Sequence, residues 1–272
     1  MPLTGTPVVR YYFDEGSVTT VVDRSGNGYD LTDINTGSGN LTATTTAGQR
    51  AFDSSAATGV QRTRRQIAAS DALQTALDGV QKVTMEVVIT LDGTTSNGSR
   101  IFGINGRAGQ NGTLMLRCSD TVAPFDFMFG WEDTVVNTLQ IALAAGTRTV
   151  IHVVIDTTQA VNVNRVRVYF DGVDQGDPST TGIMAQNDTL TVPTAYDLIA
   201  FNRESSGAFE RSWDGRLHYA ALYAAAFTQA DVTNNSDILT LNDDLGRTTR
   251  NTLAAPLGSH LGRGLWTHGG SG

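Results

Sequence analysis

The chain has 272 residues, 40% hydrophobic and 17% charged, with a formal charge of −8. No apolar run approaches the roughly 20 residues of a membrane span, and no Lys/Arg-rich arm offsets the acidity, which argues against a membrane or nucleic acid as the main partner. The 29 glycines crowd the same segments as Thr, Asn and Asp, and so many turn formers imply many short strands.

The opening residues MPLTGTPVVRYYF have no charged n-region and no long apolar h-region, so they do not read as a signal peptide. Either a leader has been removed, or the protein stays in the cell that makes it. VVRYYF (8–13) reads as the first strand, and the turn-rich stretch after it gathers Asp23, Asn27 and Asp30. QRTRRQ, with Arg62, Arg64 and Arg65, is the one basic run. It reads as a solvated loop or, more sharply, as a contact to an acidic or sulfated partner. SDALQTALDG (70–79) reads as a short helix with Ser70 or Asp71 as its cap and Gly79 as its stop.

Strand-like runs then follow in series: KVTMEVVITL (82–91), RIFGI (100–104), TLMLRC (113–118), FDFMFGW (125–131), TLQIAL (138–143), RTVIHVVID (148–156), RVRVYFDG (165–172), YDLIAFN (196–202) and RLHYAALY (216–223). Several alternate cleanly. In RVRVYF, Val166, Val168 and Phe170 point one way while Arg165, Arg167 and Tyr169 point the other; in FDFMF, Phe125, Phe127 and Phe129 share a face. Asp171-Gly172 between two such runs is a type I′ hairpin signal. Thr228 stands three residues before Asp231, close to a capping box, so 228–246 reads as a helix. The last residues, 247–272, are polar and Gly-rich, with Trp266 as their one large anchor. Period two with turn punctuation predicts an all-β jelly-roll sandwich over 1–232, and a C-terminal helix and extended tail over 233–272.

Two stretches carry a family resemblance. YYFDEGSVTTVVDRSGNGYDLT (11–32) contains F-D-E-G-S at Phe13 to Ser17, then Asp23, Ser25, Gly26, Asn27 and Gly28 in a D-x-S-G-N-G turn. The closing half runs VIHVVID (150–156), VRVYFDGVDQG (166–176) and SWDGRLHYAALYAAAFTQADV (212–232). Together they resemble the laminin-G-like branch of the concanavalin A-like lectin/glucanase superfamily. The resemblance implies a sandwich that hosts lectins, adhesion modules, enzymes and virion proteins, so it specifies fold more than function. The family's I-D-E-V is Leu217, His218, Tyr219 and Ala220 here, which removes two acidic positions.

Chemistry is sparse. Glucanases of this superfamily place two carboxylates on one strand as E-x-D-x-E or E-x-D-x-x-E, because glycosidic cleavage needs a nucleophile and an acid/base across the bond. The chain has five Glu, at 15, 86, 132, 204 and 210, and none begins that pattern. His152 and His218 read as packed strand histidines, and His260 and His268 have no zinc-like spacing. Cys118 reads as an inert buried thiol. No cofactor is required. Calcium is the one ion the turn carboxylates would suit, through Asp23, Asn27, Asp30 and Asp214, but these residues serve equally as turn formers. Trp131 and Trp213 adjoin loops and are the candidate platforms for a sugar ring, with core packing as the alternative.

The expectation is a non-catalytic binding module on the surface of a bacteriophage-type virion, as a head decoration or fibre component adhering to host glycans. Its partners would be other virion or capsid proteins and further copies of itself, reached through Arg62, Arg64, Arg65 or Trp266. A secreted bacterial carbohydrate-binding module is the alternative, and a polysaccharide lyase or hydrolase ranks below both.

Overall fold

The computed structural model describes residues 2–34, 41–46, 49–55, 62–68, 70–94, 98–106, 113–118, 125–131, 135–176, 184–193, 195–202, 204–205, 208–209 and 211–241. Two antiparallel sheets enclose one apolar core. The larger runs β13 (Val173–Asp174), β12 (Val166–Phe170), β11 (Arg148–Asp156), β6 (Lys82–Thr94), β17 (Trp213–Tyr223), β4 (Gln49–Ser55) and β3 (Thr42–Thr46). A further strand, β1 (Val9–Tyr11), pairs with the C-terminal part of β17, end to end with β4 on the same edge. The second sheet runs β10 (Val135–Leu143), β9 (Phe125–Trp131), β8 (Leu114–Cys118), β7 (Ser99–Gly106), β14 (Tyr196–Ala200), β5 (Thr63–Ile67) and β2 (Asp33–Ile34). A small hairpin, β15 (Glu204–Ser205) with β16 (Ala208–Phe209), stands apart.

Between the sheets, Phe13 meets Phe52 and Phe201 edge to face, and Trp213 stacks on Phe201 at 5.3 Å. The larger sheet is buried on both faces. Val83, Met85, Val87, Ile89 and Leu91 of β6 point into the main core, while Val88 belongs to a second apolar cluster on the outer face with Val150, Val154, Tyr169, Tyr219, Tyr223 and Phe227. This double burial explains why β6 and β11 read as nearly continuous apolar runs.

Among the described residues, two α-helices complete the fold. In α1 (Ala72–Leu77), Asp71 caps the first turn by accepting from the Leu73 amide at 2.9 Å. In α2 (Gln229–Leu241), Thr228 and Asp231 form the expected reciprocal cap, Thr228 N–H donating to Asp231 Oδ2 at 2.9 Å and Asp231 N–H to Thr228 Oγ1 at 3.3 Å. Val232 and Leu239 of α2 join the outer cluster, so the helix covers part of the larger sheet. The domain limit drawn at residue 232 therefore passes through a helix that packs on the sandwich.

All ten expected strand runs fall on observed strands. The Asp171-Gly172 turn has positive φ at both residues, 49° and 81°, as a type I′ hairpin requires. Arg64 and Arg65 are a correction to the loop reading: 63–67 is β5, paired with β14 and β2, and Arg62 stands just before it. The sign of this strand was hidden because its outward charges find partners on neighbouring strands. The shared face expected of Phe125, Phe127 and Phe129 concerns side chains outside the described residues.

Candidate functional site

The residues singled out from sequence do not converge. Trp131 and Trp213 are both fully buried, which corrects the platform reading of each. Trp131 Nε1–H donates to Asp188 Oδ2 at 3.1 Å, and Trp213 lies against Phe201 in the core. Large rings beside loops are also what closes the ends of a sandwich core, and that is their place here.

Asp23 accepts four hydrogen bonds, from the amides of Arg10, Ser25 and Tyr29 and from Ser25 Oγ, at 2.7–3.0 Å. Asp30 Oδ1 accepts the Asp23 amide at 2.8 Å, and Asn27 Nδ2 donates to the Val8 carbonyl at 2.8 Å. These side chains tie the 23–30 turn to β1. Among the described residues no three His, Cys, Asp or Glu side chains are gathered as a metal set, and Asp214 faces Asp92 and Asp53 instead. Arg62 and Arg64 pair with Asp33, Arg64 also with Asp197 at 3.0 Å, and the Phe209 ring lies against both guanidinium groups. Arg65 donates to the Gly28 carbonyl at 2.6 Å. Trp266, His260 and His268 lie outside the described residues.

The most concentrated polar chemistry in the interior is one that motif reading missed. Glu86, fully buried on β6, accepts from His152 Nε2 (2.8 Å) and Asn235 Nδ2 (2.9 Å) at Oε1, and from Tyr219 (2.7 Å) and Tyr223 (2.8 Å) at Oε2. Burial pushes its carboxyl up, but the interaction with His152 and the hydrogen bonds from Tyr219 and Asn235 outweigh this and hold it below the usual range. Sealed under α2, the cluster has no path to a substrate. It ties the helix to the sheet.

The accessible chemistry lies beside that helix. A groove of about 550 Å³ opens on the outer face of the larger sheet, between the start of α2 and strands β11 to β13. Its floor is apolar, made by Val154, Tyr169, Ala226 and Phe227. Its walls carry Lys82, Asp156, Gln159, Asn164, Arg167, Asp174, Thr228 and Gln229. Most of the groups are held in place. Asp156 Oδ1 accepts the Thr158 amide (3.1 Å) and hydroxyl (2.5 Å), and Oδ2 accepts Gln159 Nε2 (2.8 Å) and pairs with Lys82 (3.2 Å). Arg167 pairs with Asp174 and donates to Asn164 Oδ1 at 2.8 Å. Behind them the buried Arg165 staples the 157–165 loop by donating to the carbonyls of Gln159, Ala160 and Met184. Burial raises Asp156, yet its bonds to Thr158, Gln159 and Lys82 prevail and keep its carboxyl below the ordinary range.

None of the nine sequence candidates among the described residues lines this groove. The signal that existed was the outward pair Arg167 and Tyr169 in RVRVYF; Arg167 finds Asp174 across the adjoining hairpin, and the opposite side of the groove comes from the distant start of α2.

No protein-family model matches the sequence, and no curated protein matches it. Solved structures do match. Trypanosoma rangeli sialidase aligns over 88% of this chain with a TM-score of 0.56 and 14% identity. Domain 4 of AbnA, a GH43 extracellular arabinanase from Geobacillus stearothermophilus, aligns over 85% of this chain and 98% of its own, with a TM-score of 0.55 and 12% identity. The chain shares a two-sheet antiparallel β-sandwich fold with these structures. A structure of botulinum neurotoxin type C aligns over 86% of this chain and 51% of its own, with a TM-score of 0.52 and 8% identity. The chain spans only about a third of the sialidase, 33% of its length, so the match is to a part of that enzyme.

Proposed function

We propose that this chain is a non-catalytic, laminin-G-like carbohydrate-binding sandwich whose ligand seat is the groove beside α2. The observation that carries the reading is the groove itself: an apolar floor edged by amide, carboxylate, guanidinium and hydroxyl groups already fixed by their own hydrogen bonds. Sugars present an apolar C–H face and a rim of hydroxyls that donate and accept, and such a surface meets both demands. Pre-set side chains also reduce the ordering cost of binding. The volume lies within the roughly 300–1,000 Å³ of ordinary ligand sites.

The matched structures lend support in kind. The arabinanase domain was solved with arabinotriose, and the neurotoxin structure concerns entry dependent on two ganglioside molecules. Asp156 is occupied as an acceptor, paired to Lys82 at 3.2 Å and bonded to Thr158 and Gln159, which makes it a poor proton donor to a leaving oxygen. The wider setting is a bacteriophage-type virion surface, as head decoration or fibre, with capsid neighbours or further copies as partners. Its support is a core whose one cysteine is buried and free, which suits a chain that folds in a reducing cytoplasm before leaving in a particle.

The test is a glycan array followed by calorimetric titration with the best oligosaccharide. Arg167→Ala and Gln229→Ala should each weaken binding by about tenfold, the loss of one or two hydrogen bonds to a ligand, with unchanged thermal melts. Unchanged affinity in both variants would remove the groove as the seat. Light scattering and electron microscopy with the source particle test the setting: a particle-bound oligomer supports the virion, and a lone monomer points to a secreted module.

A further inference from the structure

We infer that the groove selects uncharged sugars and turns acidic ones away, because each of its cations is already matched by a carboxylate. The inference rests on the groove being the glycan seat and adds the class of glycan it takes.

The lining carries two cations, Lys82 and Arg167, and two carboxylates, Asp156 and Asp174. They are joined in pairs, Lys82 Nζ to Asp156 Oδ2 at 3.2 Å and Arg167 to Asp174. The pairs remain reachable, with Lys82 and Arg167 side chains 49% and 41% exposed. An arriving uronate, sialate or sulfate has no uncompensated cation here. To gain one it must displace Asp156 or Asp174, which leaves two like charges in one small space. Asp156 is harder to displace than a surface carboxylate, because Thr158 and Gln159 also hold it. A neutral sugar meets no such conflict. Its hydroxyls can accept from Lys82 or Arg167 and donate to the carboxylates without separating either pair. At longer range the formal charge of −8 opposes polyanions as well.

The experiment titrates the full chain with neutral oligosaccharides and their uronic, sialylated and sulfated counterparts, in the natural sequence and in Asp174→Asn. Asparagine preserves the shape and keeps Oδ1 as acceptor for the Gly176 amide, 2.9 Å away, so the hairpin is retained. It also leaves Arg167 without its counter-charge. The natural chain should favour the neutral ligand, and Asp174→Asn should move the neutral-to-acidic ratio toward the acidic one by about fivefold to tenfold, most clearly at low salt. Two results overturn the inference while leaving the glycan seat in place: a natural chain that prefers the acidic ligand in a manner lost on Arg167→Ala, or an unchanged ratio in Asp174→Asn. Failure of both ligand classes to bind at millimolar concentration overturns the glycan reading and this inference with it.

Discussion

Removing Glu86 should loosen α2 before it unfolds the sandwich. Its carboxylate accepts from four buried donors on three elements: His152 on β11, Tyr219 and Tyr223 on β17, and Asn235 on α2. Glu86→Ala strands them unequally. The two phenols lie 3.3 Å apart and can bond to each other, and Asn235 keeps its bond to the Thr4 carbonyl at 3.3 Å. His152 Nε2 has no such alternative. One or two bare buried donors at about 1–3 kcal/mol each, added to the emptied volume, give a loss of about 3–5 kcal/mol, the range for breaking a buried pair. That is a large part of the roughly 5–15 kcal/mol that holds a domain together. Glu86→Gln keeps the volume and one acceptor oxygen but turns an amide toward donors, at a cost of about 1–3 kcal/mol. Urea unfolding should show a lower midpoint at constant slope, and hydrogen exchange should show the α2 amides opening first. The sign of the pH dependence follows from the lowered carboxyl of Glu86. Its contribution is full above the unfolded Glu value of about 4.3 and disappears as pH falls through the lower folded value. The unfolding curves of the natural chain and Glu86→Gln should therefore converge in acid. A loss below about 1 kcal/mol in Glu86→Ala, or α2 amides as protected as before, would refute the claim that this cluster fastens the helix.

Three further outcomes are expected. Asp214 and Asp53 both have raised carboxyls, through burial first and then through Asp92 for Asp214, and through Asp214 and Asp92 against the opposing Arg216 for Asp53. Their ionised forms are strained, so Asp214→Asn should raise the melting temperature slightly at neutral pH, by a few tenths of a kcal/mol for such a part-exposed group, and the gain should fade below the ordinary Asp range. Gly215 sits at a register shift in β17 with φ of +136°, where a Cβ would collide with the Thr90 carbonyl; Gly215→Ala should cost about 2–4 kcal/mol, read as a lower urea midpoint, and an unchanged midpoint would show the bulge relaxes freely. Burial pushes the Cys118 thiol up to about 12, so a thiol reagent at neutral pH should label it only on unfolding, and fast labelling of the native chain would contradict its place in the core.

Much of the architecture is a local property of this chain. Alternation in RVRVYF, turn residues at Asp171-Gly172, and caps at Asp71 and at Thr228 with Asp231 act over two to four residues, so each is written in contiguous sequence. The run of apolar residues in β6 and β11 likewise announces strands covered on both faces. Function was less legible because it depends on which distant strands become neighbours. Trp131 and Trp213 look identical in sequence whether a loop end is open or closed over the core, and only the packed sheets show it closed. Glu86 stands in a run of Val and Ile with nothing to mark it. Its meaning appears when β11, β17 and α2 bring four donors around one carboxylate. The groove is the same case: Arg167 and Tyr169 are visibly outward on their strand, but the wall of Thr228 and Gln229 stands opposite them only because the helix that Glu86 helps to anchor packs there. Sequence periodicity encodes which side of a strand faces a core. Charge compensation, desolvation and the closure of a site arise from contacts between segments far apart in the chain, and these the tertiary structure alone decided.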